Sequence, residues 1–506
     1  MIAVPDCTRN PTRGMFCPVM HLKAPRFPSL LLASLLLFAG AARPDWARAD
    51  ERLLIDAPDP LWPVWQAFVA QHPLPPGVTA QRAAPADAAA SGAPRLQLRI
   101  GPAPGFRAVA RVAAAPTATL GDPRQSATLA EVRAGTVPIE PVAAIALPTV
   151  AIPVDGAYPG DPEYPLYDEI DASLTGSGGS AGQWLQSLPA VDPAAPDRDA
   201  VTWIGAVGDI MPARGVDAAL LSGSGGVERV FGDTLPVLRS FSLLLGNLEA
   251  AATGSGPRAN KSYTFRFDAR AVSTLVNSGF SYLSLTNNHT FDFGASGFLE
   301  TLAAVQAAGA ATSGVGADQA AAAQPFVTRL GDTEVRILSF ADYPVDQTGF
   351  DGRKVAMATP DHPGMLWLDS TGLKIASQGF RSGSLNIAMV HGGQEWSHVP
   401  TPEQRALYRA LVDAGANVVI GSHPHVLEGL ESYHGGLIAY SVGNFLFPGM
   451  QGTDGGEQSV ILRLGAYQGA VRYVEYAPVR LSGITVRLDR TGAIPRSLQS
   501  QTRALR

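Results

Sequence analysis

The chain has 506 residues, of which 46% are hydrophobic and only 16% are charged, and its formal net charge is -6. This length exceeds one average domain and allows two or three. The composition does not fit a disordered chain, and the sequence contains no stripe of Lys and Arg of the kind that binds nucleic acids. We therefore expect a folded protein with no nucleic-acid partner.

The amino terminus predicts a secretory signal peptide over residues 1–49. Two basic residues precede an apolar run at 30–39, and Ala47-Arg48-Ala49 follows as a small-x-small cleavage site. The residues upstream of about Met15 or Met20 are interpreted as a mis-assigned start. An uncleaved membrane anchor is the alternative, although the run is short for a membrane span. We expect secretion across the inner membrane, with a periplasmic or cell-envelope location.

Both cysteines of the chain, Cys7 and Cys17, lie in this predicted signal peptide. The mature protein would therefore have no thiol, which excludes disulfides and cysteine ligands. Any metal would have to be held by Asp, Glu, Asn or His.

Residues 50–174 predict a small N-terminal α/β domain. Residues 61–69 have the pattern of a short amphipathic helix, and residues 95–100 alternate as a strand does. Residues 141–152 predict one strand or two strands broken by Pro148. A Gly/Ser-rich run and a Pro/Asp-rich stretch then predict a linker over 175–200.

Residues 201–488 predict a second, larger α/β domain, followed by a C-terminal tail at 489–506. Short apolar strands alternate here with helical stretches such as 268–278 and 297–308, each closed by a glycine. Such alternation is typical of layered α/β folds.

Five apolar segments of this domain are each followed by side chains able to bind a metal. These are 203–209 with Asp209, 242–249 with Glu249, 282–289 with Asn288 and His289, 385–391 with His391, and 416–420 with His423 and His425. One such segment alone is more simply a strand followed by a helix-capping residue. All five together indicate a metal site, because α/β folds place their sites beyond the carboxyl ends of strands. Imidazole and carboxylate ligands suit Zn, Mn or Fe.

Six motifs occur in one order and with similar spacing to those of a known family. They are Val207-Gly208-Asp209-Ile210-Met211, Asn247-Leu248-Glu249, Asn287-Asn288-His289-Thr290-Phe291-Asp292-Phe293-Gly294, His391-Gly392-Gly393-Gln394-Glu395-Trp396, Gly421-Ser422-His423-Pro424-His425-Val426 and Tyr440-Ser441-Val442-Gly443-Asn444-Phe445. Over about 201–447 the chain resembles the CapA-type poly-γ-glutamate capsule synthesis family. The resemblance implies a branch of the calcineurin-like metallophosphoesterases, with a two-sheet sandwich flanked by helices and a site for one or two divalent ions of Mn, Zn or Fe.

The resemblance also implies a ligand set. It assigns Asp209 and His425 to one metal, Asn288, His391 and His423 to the other, Glu249 to a bridge between them, and His289 to acid catalysis or charge stabilisation. In the phosphoesterase pattern, a His ligand follows the first Asp and the bridging ligand is an Asp. This chain instead has Met211 at the first of these positions and Glu249 at the second. A thioether is a poor ligand for hard metals, so a one-metal site is an alternative.

Other polar residues near the motifs have two interpretations each. Arg214 is predicted to bind a substrate phosphate or carboxylate, with a surface role as the alternative. Asp292 is predicted to orient His289 by a hydrogen bond, or to cap the helix that begins near 296. Asn444 either lines the pocket or ends a strand, and Glu395 is either a supporting partner or a turn residue. His398 and His434 match no motif and are expected at the surface.

Three functional hypotheses follow. The first is a secreted metal-dependent hydrolase of a phosphoester or a related envelope substrate. The second is a non-catalytic accessory or binding protein for an anionic polymer such as poly-γ-glutamate, acting with a membrane polymer synthetase complex. The third is a binding module whose N-terminal domain captures a small ligand and whose metal site is vestigial. Metal retention and turnover separate the three.

Overall fold

The computed structural model describes residues 51–57, 62–83, 94–100, 107–175, 179–188, 200–223 and 225–505. The predicted signal peptide lies outside these residues. No helix in the described ranges is long and apolar enough to cross a membrane.

The described residues form a mixed α/β structure. The strands are β1 (Glu51–Asp56), β2 (Val78–Arg82), β3 (Arg95–Ile100), β4 (Arg107–Thr119), β5 (Ile139–Pro141), β6 (Thr149–Ala151), β7 (Tyr167–Thr175), β8 (Thr202–Ile210), β9 (Leu243–Leu248), β10 (Ala251–Ala252), β11 (Arg266–Phe267), β12 (Tyr282–Ser284), β13 (Val315–Gly316), β14 (Phe326–Leu330), β15 (Thr333–Asp342), β16 (Gly364–Met365), β17 (Leu385–Gly392), β18 (Val418–Ser422), β19 (Leu430–Tyr433), β20 (Gly436–Ala439), β21 (Asn444–Leu446), β22 (Gln458–Tyr467), β23 (Ala470–Ser482) and β24 (Thr485–Leu488). The helices are α1 (Trp62–Gln71), α2 (Leu129–Arg133), α3 (Ser180–Ser187), α4 (Val216–Leu220), α5 (Gly226–Phe231), α6 (Leu235–Leu238), α7 (Arg270–Asn277), α8 (Gly294–Ala307), α9 (Gln319–Ala322), α10 (Gly352–Ala356), α11 (Ser370–Gly379), α12 (Pro402–Asp413) and α13 (Ala493–Ala504).

The first sheet is built from β1 to β7 in the order β2-β1-β3-β7-β4-β5, with β6 also paired to β4. Its core contains Trp65 from α1 and Trp184 from α3, so the helix inside the predicted linker packs on this sheet. Tyr473 of β23 joins the same core, and the Tyr158 hydroxyl donates to Glu475 Oε1 at 2.8 Å. These contacts attach the first sheet to the larger part of the protein.

Two further sheets form the larger part. One has the order β12-β9-β8-β22-β23-β24, with β21 also paired to β8, and the other has the order β14-β15-β17-β18-β20-β19. Strands β12, β9 and β8 are parallel to one another, as are β15, β17, β18 and β20. Parallel pairing brings the carboxyl ends of each set to one edge of its sheet.

The two sheets face each other across an apolar core that contains Ile204 and Leu245 from one and Ile337 and Ile387 from the other. In the sheet that contains β15 and β17, alternate residues such as Leu338 point away into a separate core with α11 and α12. Helices α7 and α8 pack similarly on the outer face of the sheet that contains β8 and β9. Because both faces are covered, these strands read as nearly continuous apolar runs.

The α/β fold predicted from the sequence, a two-sheet sandwich flanked by helices with a smaller N-terminal α/β region, is confirmed. Helix α8 begins at Gly294, three residues earlier than predicted. The predicted C-terminal tail contains α13, whose Ile494 and Leu498 are buried in the core between the two sheets. The division of the chain into domains at 175–200 stays a prediction.

Candidate metal centre

Six of the predicted metal ligands converge where the strands of the two facing sheets end. We call this set the ligand cluster, and its members are Asp209, Glu249, Asn288, His391, His423 and His425. Asp209 lies in β8 and His391 in β17, and the other four lie in the loops that follow β9, β12 and β18. Asp209 and Glu249 are fully buried, and His391, His423 and His425 are at most 5% exposed. Residues that are far apart in the sequence therefore share one enclosed site.

Glu249 lies at the centre of the ligand cluster. Its Oε1 is 3.7 Å from His391 Nε2 and 3.9 Å from His425 Nε2. Neither of its carboxylate oxygens accepts a hydrogen bond from any residue that the structure describes. Burial, together with the nearby Asp209 carboxylate, raises the pKa of Glu249 well above its usual range. A buried carboxylate without partners is costly, and a cation at this position would remove that cost.

Asp209 differs because its carboxylate is already satisfied. Oδ1 accepts a hydrogen bond from Asn247 Nδ2 at 2.8 Å, and Oδ2 accepts one from the backbone N–H of His423 at 3.3 Å. Burial opposes its ionisation, but the hydrogen bond from His425 and the nearby imidazoles lower the pKa of Asp209 below its usual range. Asp209 is therefore ionised and fixed in orientation.

The imidazoles of His391 and His423 contact each other, with His423 Nδ1 3.1 Å from His391 Nε2, whereas His425 contacts oxygen atoms. His425 Nδ1 lies 2.9 Å from Asn444 Oδ1 and 3.2 Å from Asp209 Oδ2, which assigns the ring proton to Nδ1 and the lone pair to Nε2. Burial lowers the pKa of His391 to about 3 and also lowers that of His423. For His425 burial acts in the same direction, but the contact with Asp209 outweighs it, so the pKa of His425 lies above its usual value. Neutral imidazoles with directed lone pairs are the form that binds metals.

The backbone that carries His423 and His425 is strained. His423 has a φ of 100° and His425 a φ of 61°, values that residues with a Cβ rarely adopt. Just before them, a Cβ on Gly421 would lie 1.9 Å from the carbonyl oxygen of Tyr440. Strain of this kind persists where surrounding contacts enforce it, and it concentrates at functional sites.

Two asparagines that the sequence analysis did not single out support the site. Asn247 Nδ2, besides donating to Asp209, lies 3.1 Å from His391 Nδ1. Asn287 Nδ2 donates to Asn247 Oδ1 at 3.1 Å, and its own Oδ1 accepts from the backbone N–H of His289. Asn247 was detectable, because it lies two residues before Glu249 and alternate strand residues share a face. Asn288 itself places Oδ1 2.9 Å from His391 Nε2.

His289 lies beside the ligand cluster with its Nε2 4.0 Å from Glu249 Oε1. Its Nδ1 lies 2.7 Å from Asp292 Oδ2, and Lys261 Nζ lies 2.9 Å from Asp292 Oδ1. Asp292 also accepts a hydrogen bond from the backbone N–H of Phe265 at 2.6 Å, whereas Phe293 occupies the cap position of α8. The structure thus places Asp292 where it orients His289. Lys261 belongs to no motif, and sequence reasoning missed it.

The donor set fits divalent metal ions. Two triads within the ligand cluster, Glu249 with His391 and His423, and Asp209 with Glu249 and His425, each place ligand atoms within 4.8 Å of one another. Carboxylate oxygen and imidazole nitrogen in such sets suit Mn, Zn and Fe, but the donor types do not select among these. Glu249 belongs to both triads, which is the arrangement expected of a bridging ligand.

The remaining predicted residues lie around the cluster. Arg214 is exposed, donates from Nη1 to the carbonyl oxygen of Pro448 at 2.7 Å, and stacks on the Phe265 ring at 4.7 Å. It therefore lies outside the cluster. Asn444 holds His425, and Glu395 lies near His423 and His425. His398 is half-buried, with Nδ1 3.4 Å from the carbonyl oxygen of Leu427. His434 is exposed, as expected, and its 2.8 Å partner is the exposed Asp413.

Two open spaces adjoin the site. A cleft of about 250 Å³ reaches the cluster and is lined by residues that include Asn288, His289, Tyr343, Glu395 and His423. A neighbouring groove of about 630 Å³ shares Ser262 and Tyr263 with it. We call it the arginine groove, because Arg214, Arg258 and Arg266 line it. No carboxylate that the structure describes forms a salt bridge with these three side chains, and none lines the groove.

Comparison with solved structures gives only a distant likeness. A Staphylococcus aureus protein described as a candidate 5'-nucleotidase, solved in complex with alpha-ketoglutarate, aligns with a TM-score of 0.35 and 13% identity. The alignment covers 59% of this chain and 58% of that one. A likeness this weak does not inform the function.

Sequence comparison is more specific. Residues 203–449 match the family of the bacterial capsule synthesis protein PGA_cap. The chain is 31% identical over 276 residues to the capsule biosynthesis protein CapA of Bacillus anthracis, covering 53% of this chain and 65% of that protein. It is 31% identical over 245 residues to the PGA biosynthesis protein CapA of Bacillus subtilis, covering 48% of this chain and 62% of that protein. The match spans less than two thirds of either relative. Residues 203–449 therefore match a domain of the bacterial capsule synthesis protein family, and this part of the chain is similar to CapA-type capsule synthesis proteins.

Proposed function

We propose that this protein is a metal-dependent hydrolase of the cell envelope that acts on a phosphoester or on an anionic polymer such as poly-γ-glutamate. The observation that carries the proposal is Glu249, a buried carboxylate with no hydrogen-bond partner among the described residues, facing the imidazoles of His391 and His425 at 3.7 and 3.9 Å. When bound, divalent ions would lower the pKa of a water and neutralise the oxygens of the reacting group.

His289 is the residue placed to move a proton. Its Nδ1 is held by Asp292, so Nε2 is the atom that faces the ligand cluster. Burial lowers the pKa of His289, and Lys261 acts in the same direction, while Asp292 opposes both. The neutral ring therefore presents a lone pair on Nε2 and would first accept a proton from the attacking water. The imidazolium so formed would then donate that proton to the leaving oxygen.

The arginine groove supports an anionic substrate. Arg258 is exposed, and its guanidinium forms no hydrogen bond or salt bridge within the described part of the chain. Guanidinium groups bind carboxylates and phosphates in a planar, two-pronged geometry. A chain whose reacting group lies at the ligand cluster would reach this groove past Tyr263, which is 63% exposed.

Activity is tested with protein reconstituted with Mn²⁺ or Zn²⁺ against phosphomonoesters, phosphodiesters and poly-γ-glutamate. We expect His289→Asn to lower kcat by at least about 100-fold while metal content stays unchanged. The control, His434→Asn, changes an exposed histidine on the surface and should retain full activity. We also expect His391→Ala to lose metal yet remain folded. Equal turnover of wild type and His289→Asn would contradict the proposed role.

The second candidate is an accessory protein that binds the polymer without hydrolysing it, alongside a membrane polymer synthetase complex. The observation in its favour is Met211, which replaces a metal ligand and is buried in the hydrophobic core. A protein that retains metal and binds poly-γ-glutamate, but turns over no ester or polymer, would be of this kind. Arg258→Gln should then weaken polymer binding more at low salt than at high salt.

Secretion is part of the proposal. It is supported by the basic pair, the apolar run at 30–39 and the cleavage motif before Asp50. Amino-terminal sequencing of the protein recovered from the cell envelope should begin at Asp50. A sequence that begins upstream of the apolar run would instead indicate an uncleaved anchor.

A further inference from the structure

Met211 is a poor metal ligand here, because a thioether binds hard metals weakly and the side chain belongs to an apolar core. The residue is fully buried in the apolar core that also contains Phe231 and Phe445. Its backbone N–H donates to the carbonyl oxygen of Leu446 at 2.7 Å, which fixes the strand in this orientation. The metal position that includes Asp209 and His425 therefore lacks the ligand that the phosphoesterase pattern places at Met211, unless another residue supplies it.

Glu395 is held close to this position by the loop after β17. A left-handed backbone at Gly393, with φ 104°, and at Trp396, with φ 66°, turns the chain back toward the ligand cluster. The backbone N–H of Trp396 donates to the carbonyl oxygen of Pro424 at 2.9 Å, and its ring lies 5.3 Å from that of His425. Both contacts join the Glu395 loop to the segment that carries the two histidines.

The donor atoms of Glu395, His423 and His425 are close enough to share an ion. One carboxylate oxygen and one nitrogen of each ring lie within 4.8 Å of one another. Three ligands that are each about 2.1 Å from one metal lie about 3.0–3.6 Å apart, so side-chain movements of about 1 Å bring these donor atoms to a shared ion.

Two of these groups lack partners. His423 Nε2 is buried and makes no hydrogen bond with the described residues. Glu395 forms no hydrogen bond or salt bridge with any side chain that the structure describes. The half-buried Glu395 lines the 250 Å³ cleft, so its carboxylate lies on the open side of the ligand cluster.

We propose that Glu395 is a metal ligand that supplies, from the loop after β17, the coordination that Met211 cannot. The inference rests on the proposed function, because it requires the ligand cluster to bind metal. A carboxylate in place of an imidazole makes the site harder and more negative, which favours Mn²⁺ and Fe²⁺ relative to softer ions.

The test measures metal binding directly. Metal-free wild type, Glu395→Gln, Glu395→Asp and the control Glu403→Gln, which changes an exposed glutamate on α12, are titrated with Mn²⁺ by calorimetry. We expect Glu395→Gln to weaken one binding event by at least about 10-fold. Glu395→Asp should retain part of the affinity because it keeps a carboxylate, and Glu403→Gln should match wild type. Loading with Co²⁺ adds a spectroscopic check, because loss of a ligand changes the visible absorption spectrum and loss of a distant charge does not.

The outcomes separate this inference from the proposed function. Wild type that binds no metal would overturn both. Wild type that binds metal, together with unchanged affinity and Co²⁺ spectrum in Glu395→Gln, would overturn the role of Glu395 alone. Unchanged metal binding with a loss of turnover in Glu395→Gln would also overturn it, and would assign Glu395 to the substrate instead. Circular dichroism of each variant verifies that the fold is retained.

Discussion

Glu249 and Glu428 are both fully buried, and comparison of their surroundings shows two ways in which this protein accommodates a buried carboxyl group. Glu249 faces imidazole nitrogens of the ligand cluster. Glu428 lies three residues after His425 and accepts one hydrogen bond, from Gln404 Nε2 at 2.9 Å. Burial raises the pKa of Glu428 to about 8.

The side chains around each buried carboxyl group determine whether a metal ion or a proton suits it better. Around Glu249, donor atoms of several side chains converge, and a divalent cation would satisfy them together. Beside Glu428 lie a neutral amide and the buried Tyr408 hydroxyl, which makes no hydrogen bond among the described residues. A proton on the carboxyl group suits this environment, since it removes the buried charge. Buried acids without partners therefore mark a metal site only where other ligands converge on them.

Glu249→Gln should change the stability of the protein in opposite directions without and with metal. Metal-free, the variant should be more stable than wild type by about 1–3 kcal/mol, because an amide replaces a buried carboxyl that has no partner. With Mn²⁺ present, the order should reverse, because wild type alone gains the binding energy. Urea denaturation with and without Mn²⁺ measures both differences in the free energy of unfolding. If the variant is less stable in both conditions, Glu249 has a structural role rather than a ligand role.

Chelation of the metal from wild type should lower the free energy of unfolding by about 3–4 kcal/mol when the free ion had been at 100 to 1,000 times its dissociation constant. A metal held by the folded cluster would have no such site in the unfolded chain, so its removal should destabilise only the folded state. Thermal denaturation before and after chelation gives the shift. The same treatment of Glu249→Gln provides the control and should change little.

The strand ends that form the site could be predicted from the sequence, but the contacts of Lys261 and Glu428 could not. The ends of β8, β9, β12, β17 and β18 were predictable, because apolar runs followed by polar side chains identify strands that reach a common edge. Lys261 was not, because it lies in a loop with no periodic pattern and reaches Asp292 only through the tertiary fold. Glu428 was also inaccessible, since its burial depends on the packing of α12.

Glu428→Gln should change the pH dependence of stability. The carboxyl pKa is raised on folding, from its ordinary value of 4.5 to about 8, so the folded state holds a proton that the unfolded state releases. The free energy of unfolding of wild type should therefore fall as pH rises from about 5 to about 8 and level off above. Between about pH 6 and about pH 8 the fall relative to Glu428→Gln should be about 1–3 kcal/mol. Urea denaturation across this range checks it. If the pH dependence of this difference between wild type and Glu428→Gln changes when metal is added, Glu428 belongs with the ligand cluster instead.

The smallest effect is expected at Tyr408. Its hydroxyl is buried without a hydrogen-bond partner among the described residues, so Tyr408→Phe should be neutral or stabilising, by about 0–1 kcal/mol. Thermal denaturation of metal-free protein is sufficient. A loss of more than about 2 kcal/mol would show that the hydroxyl is bonded in solution.

The central claim is that Glu249 and the surrounding histidines hold divalent ions, and a crystal structure of Mn²⁺-loaded protein with anomalous diffraction data tests it most directly. We predict an anomalous peak about 2.0–2.5 Å from a carboxylate oxygen of Glu249 and from at least one imidazole nitrogen of His391, His423 or His425. A fully loaded crystal with no peak at these side chains, or with its metal bound elsewhere, would contradict the account.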